Sequence, residues 1–162
     1  MTGEAFARRS VEGQLDLRLD AGEASRLPFA VPLEPNTVTE DGEGVASLWL
    51  GPDEWLLVRE SGRGDGLVER IESALTGVHH SLVDVSANRA VVELTGTGRF
   101  DLLSAGCGLD LHPRIWSTGR CAQTLLARVP VILWERADAT RVLARPSFAA
   151  YLEEWLADQA VS

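Results

Sequence analysis

The chain has 162 residues, of which 45% are hydrophobic and 24% are charged; this excludes wholesale disorder and favours one globular domain. Aspartate and glutamate outnumber the basic residues by 24 to 15, and the net charge of −9 disfavours nucleic acid and anionic membranes as partners. Every one of these basic residues is arginine, which excludes chemistry that needs a lysine, such as Schiff-base formation.

Residues 1–44 differ in pattern from the rest and are predicted to form an N-terminal arm. Alternation of Leu15, Leu17 and Leu19 with polar residues predicts one strand, which we place at a sheet edge. Prolines and a glycine-rich acidic stretch predict an extended loop after it. Two interpretations stay open, a loosely attached tail and an arm that becomes ordered against a partner. The first residues lack the apolar core of a secretory signal, which favours the cytoplasm.

Residues 45–162 show tighter periodicity and are predicted to form the main domain. The first part predicts a hairpin and then a helix that Asp65 caps, beginning at Gly66. The second part predicts a helix capped by Thr97, a long connection over 109–119, and a final helix opened by Pro146. Strands are predicted over 46–50, 55–59, 80–87, 90–95, 121–128, 129–135 and 141–144.

The element order β-β-α-β-β-α-β-β-β-α predicts an α+β fold. We expect a largely antiparallel sheet with helices packed on one face. Two halves, residues 46–87 and 89–159, share a loose strand-helix-strand order. No apolar run is long enough to span a bilayer, which predicts no membrane association.

Familiar catalytic and metal-binding motifs are weak or absent. Gly96 and Gly98 resemble part of a dinucleotide loop, but Asp101 stands at the third glycine position and would repel a pyrophosphate. Cys107 and Cys121 match no metal-binding spacing, so we predict buried thiols in a reducing compartment and no metal site.

Two sets of residues are candidates for binding. Asp84 and Ser86 share one face of a predicted strand and could hold a ligand hydroxyl; the alternative is a local hydrogen bond at the strand end. Tryptophan and arginine are enriched at protein interfaces, and the alternative for the tryptophans is ordinary core packing. The candidates for a partner interface are Trp49, Trp55, Trp116, Arg89 and Arg120.

The motifs together resemble a known family. LVDVSANRAVVELTGTGRFDLLSAGCGLDL, residues 82–111, resembles the signature of the folate-binding aminomethyltransferase (T-protein) superfamily. The match is closer to the gamma subunits of heterotetrameric sarcosine oxidases and covers about residues 45–157. The motifs that resemble those subunits are LGPDEWLLV, CGLDLHPRIW, GRCAQTLLARVPVILWE and RPSFAAYLEEWL.

The resemblance implies a subunit without its own catalytic groups. T-proteins carry an acid that handles the folate amine, whereas the corresponding run here, residues 129–134, holds none. Such oxidases demethylate sarcosine to glycine, produce peroxide and pass the one-carbon unit to tetrahydrofolate. The resemblance implies alpha, beta and delta subunits as partners, which would carry FAD, FMN, NAD, zinc and tetrahydrofolate.

We therefore predict a non-catalytic gamma-type subunit that contributes assembly and interface surface, with no activity of its own and no cofactor bound by this chain. The alternative is a stand-alone folate-type module that binds a small molecule. A stand-alone transferase is disfavoured by the missing carboxylate and by the short chain.

Overall fold

The computed structural model describes residues 5–9, 13–60 and 66–162. The helices are α1 (Leu67–Ala74), α2 (Arg99–Ser104) and α3 (Pro146–Val161). The strands are β1 (Ala5–Arg9), β2 (Gly13–Leu19), β3 (Val38–Glu40), β4 (Val45–Gly51), β5 (Glu54–Arg59), β6 (His80–Asp84), β7 (Ala90–Thr95), β8 (Cys121–Leu126), β9 (Val129–Glu135) and β10 (Ala139–Ala144). From β4 onward this is the predicted order of strands and helices.

The chain divides into two compact units. The first unit is residues 11–86, and the second is residues 87–162 with residues 1–10. This division falls where the two repeated halves were predicted to meet. The arm boundary predicted after residue 44 lies inside the first unit.

The first unit contains a five-stranded antiparallel sheet in the order β3-β4-β5-β2-β6. The strand predicted from the leucine alternation is β2, but it is internal, because Leu17 pairs with Trp55 of β5 on one side and Leu82 of β6 on the other. The prediction of an edge strand was therefore wrong. Alternation of apolar and polar residues indicates that one face of a strand is buried. It does not indicate how many other strands pair with that strand.

Helix α1 covers one face of this sheet. Ile71 and Leu75 are fully buried and pack in a core with Leu17, Trp55 and Leu57. Burial of each large apolar side chain contributes about 1.5–3 kcal/mol. The predicted cap Asp65 lies outside the described residues.

The second unit contains a five-stranded antiparallel sheet in the order β1-β7-β10-β9-β8. Its central strands place Val92, Val142 and Leu133 side by side, and all three belong to one apolar core with residues of α2 and α3. Pro130 lies in an internal strand, but at a position that pairs only with Leu125 of β8, before the pairing of β9 with β10 begins. Its missing N–H therefore removes no hydrogen bond to β10.

The helices of the second unit differ in two details from the prediction. The N-cap of α2 is Gly98 and makes no side-chain cap bond, so the Thr97 cap was wrong. In α3 the buried face is Ala149, Leu152 and Leu156. The spacing in the sequence predicts a buried stripe of Phe148, Tyr151, Leu152, Trp155 and Leu156, but Phe148 and Tyr151 are 38% and 48% exposed.

The α+β class, the antiparallel pairing and the packing of helices against the strands are confirmed. The strands form two five-stranded sheets, however, where one sheet was predicted. Among the described residues, no helix has both the length and the apolar composition needed to cross a bilayer.

Candidate functional site

Asp84 and Ser86, the predicted ligand candidates, are hydrogen-bonded to each other where β6 ends. The backbone N–H and the hydroxyl of Ser86 both donate to Asp84 Oδ1, at 2.9 and 2.6 Å. The Gln14 N–H donates to Ser86 Oγ at 2.9 Å. The bonds from the Ser86 hydroxyl and N–H hold the pKa of Asp84 below its usual range. The pair forms a local turn that ties β6 to β2, and its role toward a ligand stays a prediction.

Two of the three predicted interface tryptophans are interior residues. Trp55 is 0% exposed, and its Nε1–H donates to the Pro32 carbonyl at 2.7 Å. Trp116 is 6% exposed, and its Nε1–H donates to Glu135 Oε2 at 3.0 Å. A partner contact needs accessible surface, and these side chains have almost none. We therefore assign Trp55 and Trp116 to ordinary core packing and no longer to the predicted partner interface.

Trp49, Arg89 and Arg120 keep partly exposed positions. Trp49 lies on β4, in the first unit. Arg89 precedes β7 and Arg120 precedes β8, and the antiparallel register places them at opposite ends of the second sheet. The two arginines therefore do not share one site, and a role of each residue in partner binding stays a prediction.

The second unit contains a buried polar cluster around Glu135, which the sequence patterns did not predict. Glu135 is 2% exposed and Arg99 is 7% exposed, and Arg99 Nη2 lies 2.7 Å from Glu135 Oε1. Arg99 Nε also donates to Thr140 Oγ1 at 3.2 Å. The Thr140 hydroxyl and the Trp116 indole both donate to Glu135 Oε2. The cluster fixes the start of α2 against β9 and β10.

The alternation of β9 carries the signal that could have found this cluster. Val131 and Leu133 belong to the apolar core of the second unit. Alternate residues of a strand share one face, so Glu135 falls on the same face as these two. An acid at a core position requires a buried partner. Glu135 directly follows the acid-free run 129–134.

A second buried carboxylate belongs to Glu93 of β7. Arg141, directly opposite on β10, donates through Nε to Glu93 Oε2 at 2.9 Å. Arg9 donates through Nε to Oε1, also at 2.9 Å. Burial raises the pKa of Glu93, but the hydrogen bonds and charges of Arg141 and Arg9 outweigh it, so the pKa lies below its ordinary value. The guanidinium of Arg141 also lies 5.1 Å from the Trp134 ring centroid.

We expect this ion pair to make stability depend on pH in the acidic range. Because the folded pKa of Glu93 is depressed, its stabilisation is complete above the ordinary value of 4.5 and is lost as the pH falls through the folded value. The free energies of unfolding of the wild type and of Glu93→Gln, measured with urea, should therefore differ most near pH 7 and converge below the folded pKa of Glu93. A difference that stays constant down to pH 3 contradicts this assignment.

The described residues do not bring metal ligands together. Within residues 5–9, 13–60 and 66–162, no group of three or more histidine, cysteine, aspartate or glutamate side chains could hold a metal ion. Cys107 and Cys121 are free thiols and are both buried, which confirms the predicted burial. Cys107 packs in the apolar core of the second unit.

Comparison with known sequences identifies similar proteins over most of the chain. A profile of the family described as "Sarcosine oxidase, gamma subunit family" matches residues 19–162. A sarcosine oxidase subunit gamma from Arthrobacter sp. is 38% identical over 136 residues, 83% of this chain. A sarcosine oxidase subunit gamma from Corynebacterium sp. strain U-96 is 36% identical over 152 residues, 90% of this chain. The chain covers 66% of the Arthrobacter relative and 73% of the Corynebacterium relative.

Solved structures agree with this comparison. A chain of the heterotetrameric sarcosine oxidase from Corynebacterium sp. U-96, solved with pyrrole 2-carboxylate, superposes with a TM-score of 0.88 and 33% identity. The superposition covers 98% of this chain and 84% of that chain. The glycine cleavage aminomethyltransferase T from Bartonella henselae gives a TM-score of 0.71 at 13% identity, covering 96% of this chain and 45% of that chain. This second likeness shows the fold alone.

Proposed function

Because this chain belongs to the sarcosine oxidase gamma subunit family, we propose that it is the gamma-type subunit of a heterotetrameric sarcosine oxidase. In this role it contributes assembly surface and no catalytic group. The observation that carries the proposal is the superposition on a chain of such an oxidase, over 98% of this chain.

The whole complex would demethylate sarcosine to glycine, reduce oxygen to peroxide and transfer the one-carbon unit to tetrahydrofolate. We place FAD, FMN, NAD, zinc and tetrahydrofolate on the partner subunits alpha, beta and delta. We place the complex in the cytoplasm. These assignments rest on the family to which the chain belongs.

The state of the buried carboxylates supports a non-catalytic role. A general acid or base must exchange its proton with substrate, and its carboxylate must be within hydrogen-bond reach of it. Glu93 accepts from Arg141 and Arg9, and Glu135 accepts from Arg99, Thr140 and Trp116. These donors occupy both oxygens of each carboxylate. Such an arrangement is typical of a carboxylate that holds neighbouring elements together in the fold.

The stand-alone binding module is the less favoured alternative. Its candidates Asp84 and Ser86 are engaged with each other and with Gln14. Calorimetric titration of the purified chain with tetrahydrofolate distinguishes the two functions. We expect no saturable heat, and binding that Asp84→Ala abolishes would favour the module instead.

Co-expression tests the proposed function. The other oxidase subunits encoded in the same genome are produced with and without this chain, and assembly is followed by size-exclusion chromatography. Flavin content and sarcosine-dependent peroxide formation are measured in the same fractions. We expect the chain to co-elute with its partners, and its omission to lower assembly and turnover. Unchanged assembly, flavin content and turnover without the chain contradict the proposal.

A further inference from the structure

The second unit carries a surface cavity where the tip of the β8–β9 hairpin meets helix α3. Its volume is about 490 Å³, and its lining includes Arg128 of the hairpin tip together with Tyr151 and Trp155 of α3. Residues 151 and 155 are four positions apart, so their side chains share one face of the helix. Tryptophan, tyrosine and arginine are enriched among the residues that dominate the binding energy of protein interfaces. The cavity therefore has the composition of a docking site for another protein.

The hairpin tip holds two residues in a backbone conformation that favours glycine. Leu126 pairs with Val129, so the loop consists of Ala127 and Arg128 alone, with φ angles of 49° and 70°. Such a loop with two positive φ angles usually contains Asn-Gly or Asp-Gly, because a Cβ atom disfavours the left-handed region. Residues in this conformation persist where the surrounding contacts hold them, and they are frequent at functional sites. An arginine at the second position is therefore unfavourable for the fold, which indicates a role of its side chain beyond the fold.

Contacts from two neighbouring segments fix the hairpin tip and the aromatic rings. The Ala127 N–H donates to the Gly106 carbonyl at 2.9 Å, and the Tyr151 hydroxyl donates to the Ala127 carbonyl at 3.1 Å. Gly106 also lets the Trp155 ring approach, since a Cβ atom on this residue would lie 2.6 Å from Trp155 Cζ2. Both aromatic side chains are thereby positioned before a partner binds, and positioned groups lose less conformational entropy on binding.

The charge of the cavity comes from Arg128. Among the described residues that line the cavity it is the only charged one. Its side chain is exposed, and no other residue in the described part of the chain forms an ion pair with its guanidinium. An unpaired guanidinium on a chain with a net charge of −9 favours a carboxylate as its partner, because the two groups bind in a bidentate geometry.

We propose that this cavity docks an acidic segment of another subunit of the oxidase. A carboxylate of that segment pairs with Arg128, and an apolar side chain of the same segment packs against Tyr151 and Trp155. The inference rests on the proposed function and adds which surface of the chain the partner contacts. The aromatic contacts bury apolar surface, and the ion pair beside them sets the orientation of the partner.

Charge reversal at Arg128 tests the proposal in the assembled complex. Binding of wild type and of Arg128→Glu to the immobilised partner subunits is measured at low and at high salt. At about 0.1 M salt we expect the dissociation constant of the variant to rise at least about tenfold. The difference should shrink at about 0.5 M salt, because added ions screen the charges. The matched control is Arg114→Glu, which makes the same charge change at an exposed arginine outside the cavity lining.

Arg128→Gly separates the docking role from the fold. Glycine adopts the backbone conformation at this position without strain, so we expect the urea midpoint of the free chain to be no lower than that of wild type. The same variant lacks the guanidinium, so we expect its dissociation constant from the partner subunits to rise about fivefold or more. A side chain that served the fold alone would give the opposite pattern, with a lower midpoint and unchanged binding.

Unchanged binding of Arg128→Glu, or an equal loss in Arg114→Glu, overturns the proposal. Sedimentation that shows a dimer of the free chain, which Arg128→Glu dissociates, would assign the cavity to a second copy and also overturn it. If wild type itself fails to bind the partners, the proposed function fails and the docking proposal fails with it. If wild type and Arg128→Glu bind equally well, the docking proposal alone fails.

Discussion

Replacing Glu135 with alanine will lower the free energy of unfolding by about 3–5 kcal/mol, because it leaves the Arg99 guanidinium buried without its carboxylate. Arg99 is only 7% exposed, so water cannot solvate the guanidinium without local opening of the start of α2. The indole N–H of Trp116 and the hydroxyl of Thr140 lose their acceptor in the same variant. Urea unfolding followed by tryptophan fluorescence measures the effect.

The control for this prediction is Glu154→Ala on α3. Glu154 is exposed, so its removal should change stability by less than about 0.5 kcal/mol. Glu135→Gln keeps the volume and one acceptor oxygen, and we expect an intermediate loss. If Glu135→Ala unfolds within about 1 kcal/mol of wild type, the cluster does not hold the second unit together as described.

The second large effect is expected at Trp55. Its side chain is fully buried in the core of the first unit, and truncation to alanine should cost about 3–5 kcal/mol. Trp55→Phe retains most of the ring but leaves the Pro32 carbonyl without its donor, which should cost about 1–3 kcal/mol. Thermal unfolding of the purified chain measures both.

Trp49→Ala is the matched control, because Trp49 pairs with Trp55 across β4 and β5 but keeps a partly exposed side chain. We expect it to destabilise the chain less than Trp55→Ala. If Trp55→Ala instead leaves unfolding unchanged and weakens binding to the partner subunits, Trp55 belongs to the interface and its assignment to the core is wrong.

The sequence predicted most of the elements because their signals are local. Strand β7 has the predicted bounds, and β4 and β5 form the predicted hairpin. Alternation and turn chemistry act within a few residues, so one chain is enough to detect them. The antiparallel α+β class follows from their order.

The errors come from contacts between distant parts of the chain. The alternation of β2 does not show that two strands flank it, and this made an internal strand look like an edge. A tryptophan has the same sequence signature in a core and at an interface. In the folded chain Trp55 is buried in the core, and its indole N–H donates to the carbonyl of Pro32, which lies 23 residues earlier in the sequence.

The candidate site was predicted less well than the fold for the same reason. The hydrogen-bonded partner of Glu135 is Arg99, at a separation of 36 residues in the sequence. No local pattern predicts that pair. Arg89 was proposed from residue type alone. The register of the second sheet, which no local pattern reveals, separates it from Arg120.

Turnover by the purified chain and by the reconstituted complex decides whether this subunit supplies surface or reactivity. Sarcosine-dependent peroxide formation is measured for this chain alone, for the partner subunits alone, and for the two combined. We predict no turnover and no bound flavin for the isolated chain, and full activity only for the combination. Peroxide formation or a tightly held flavin in the isolated chain would contradict it.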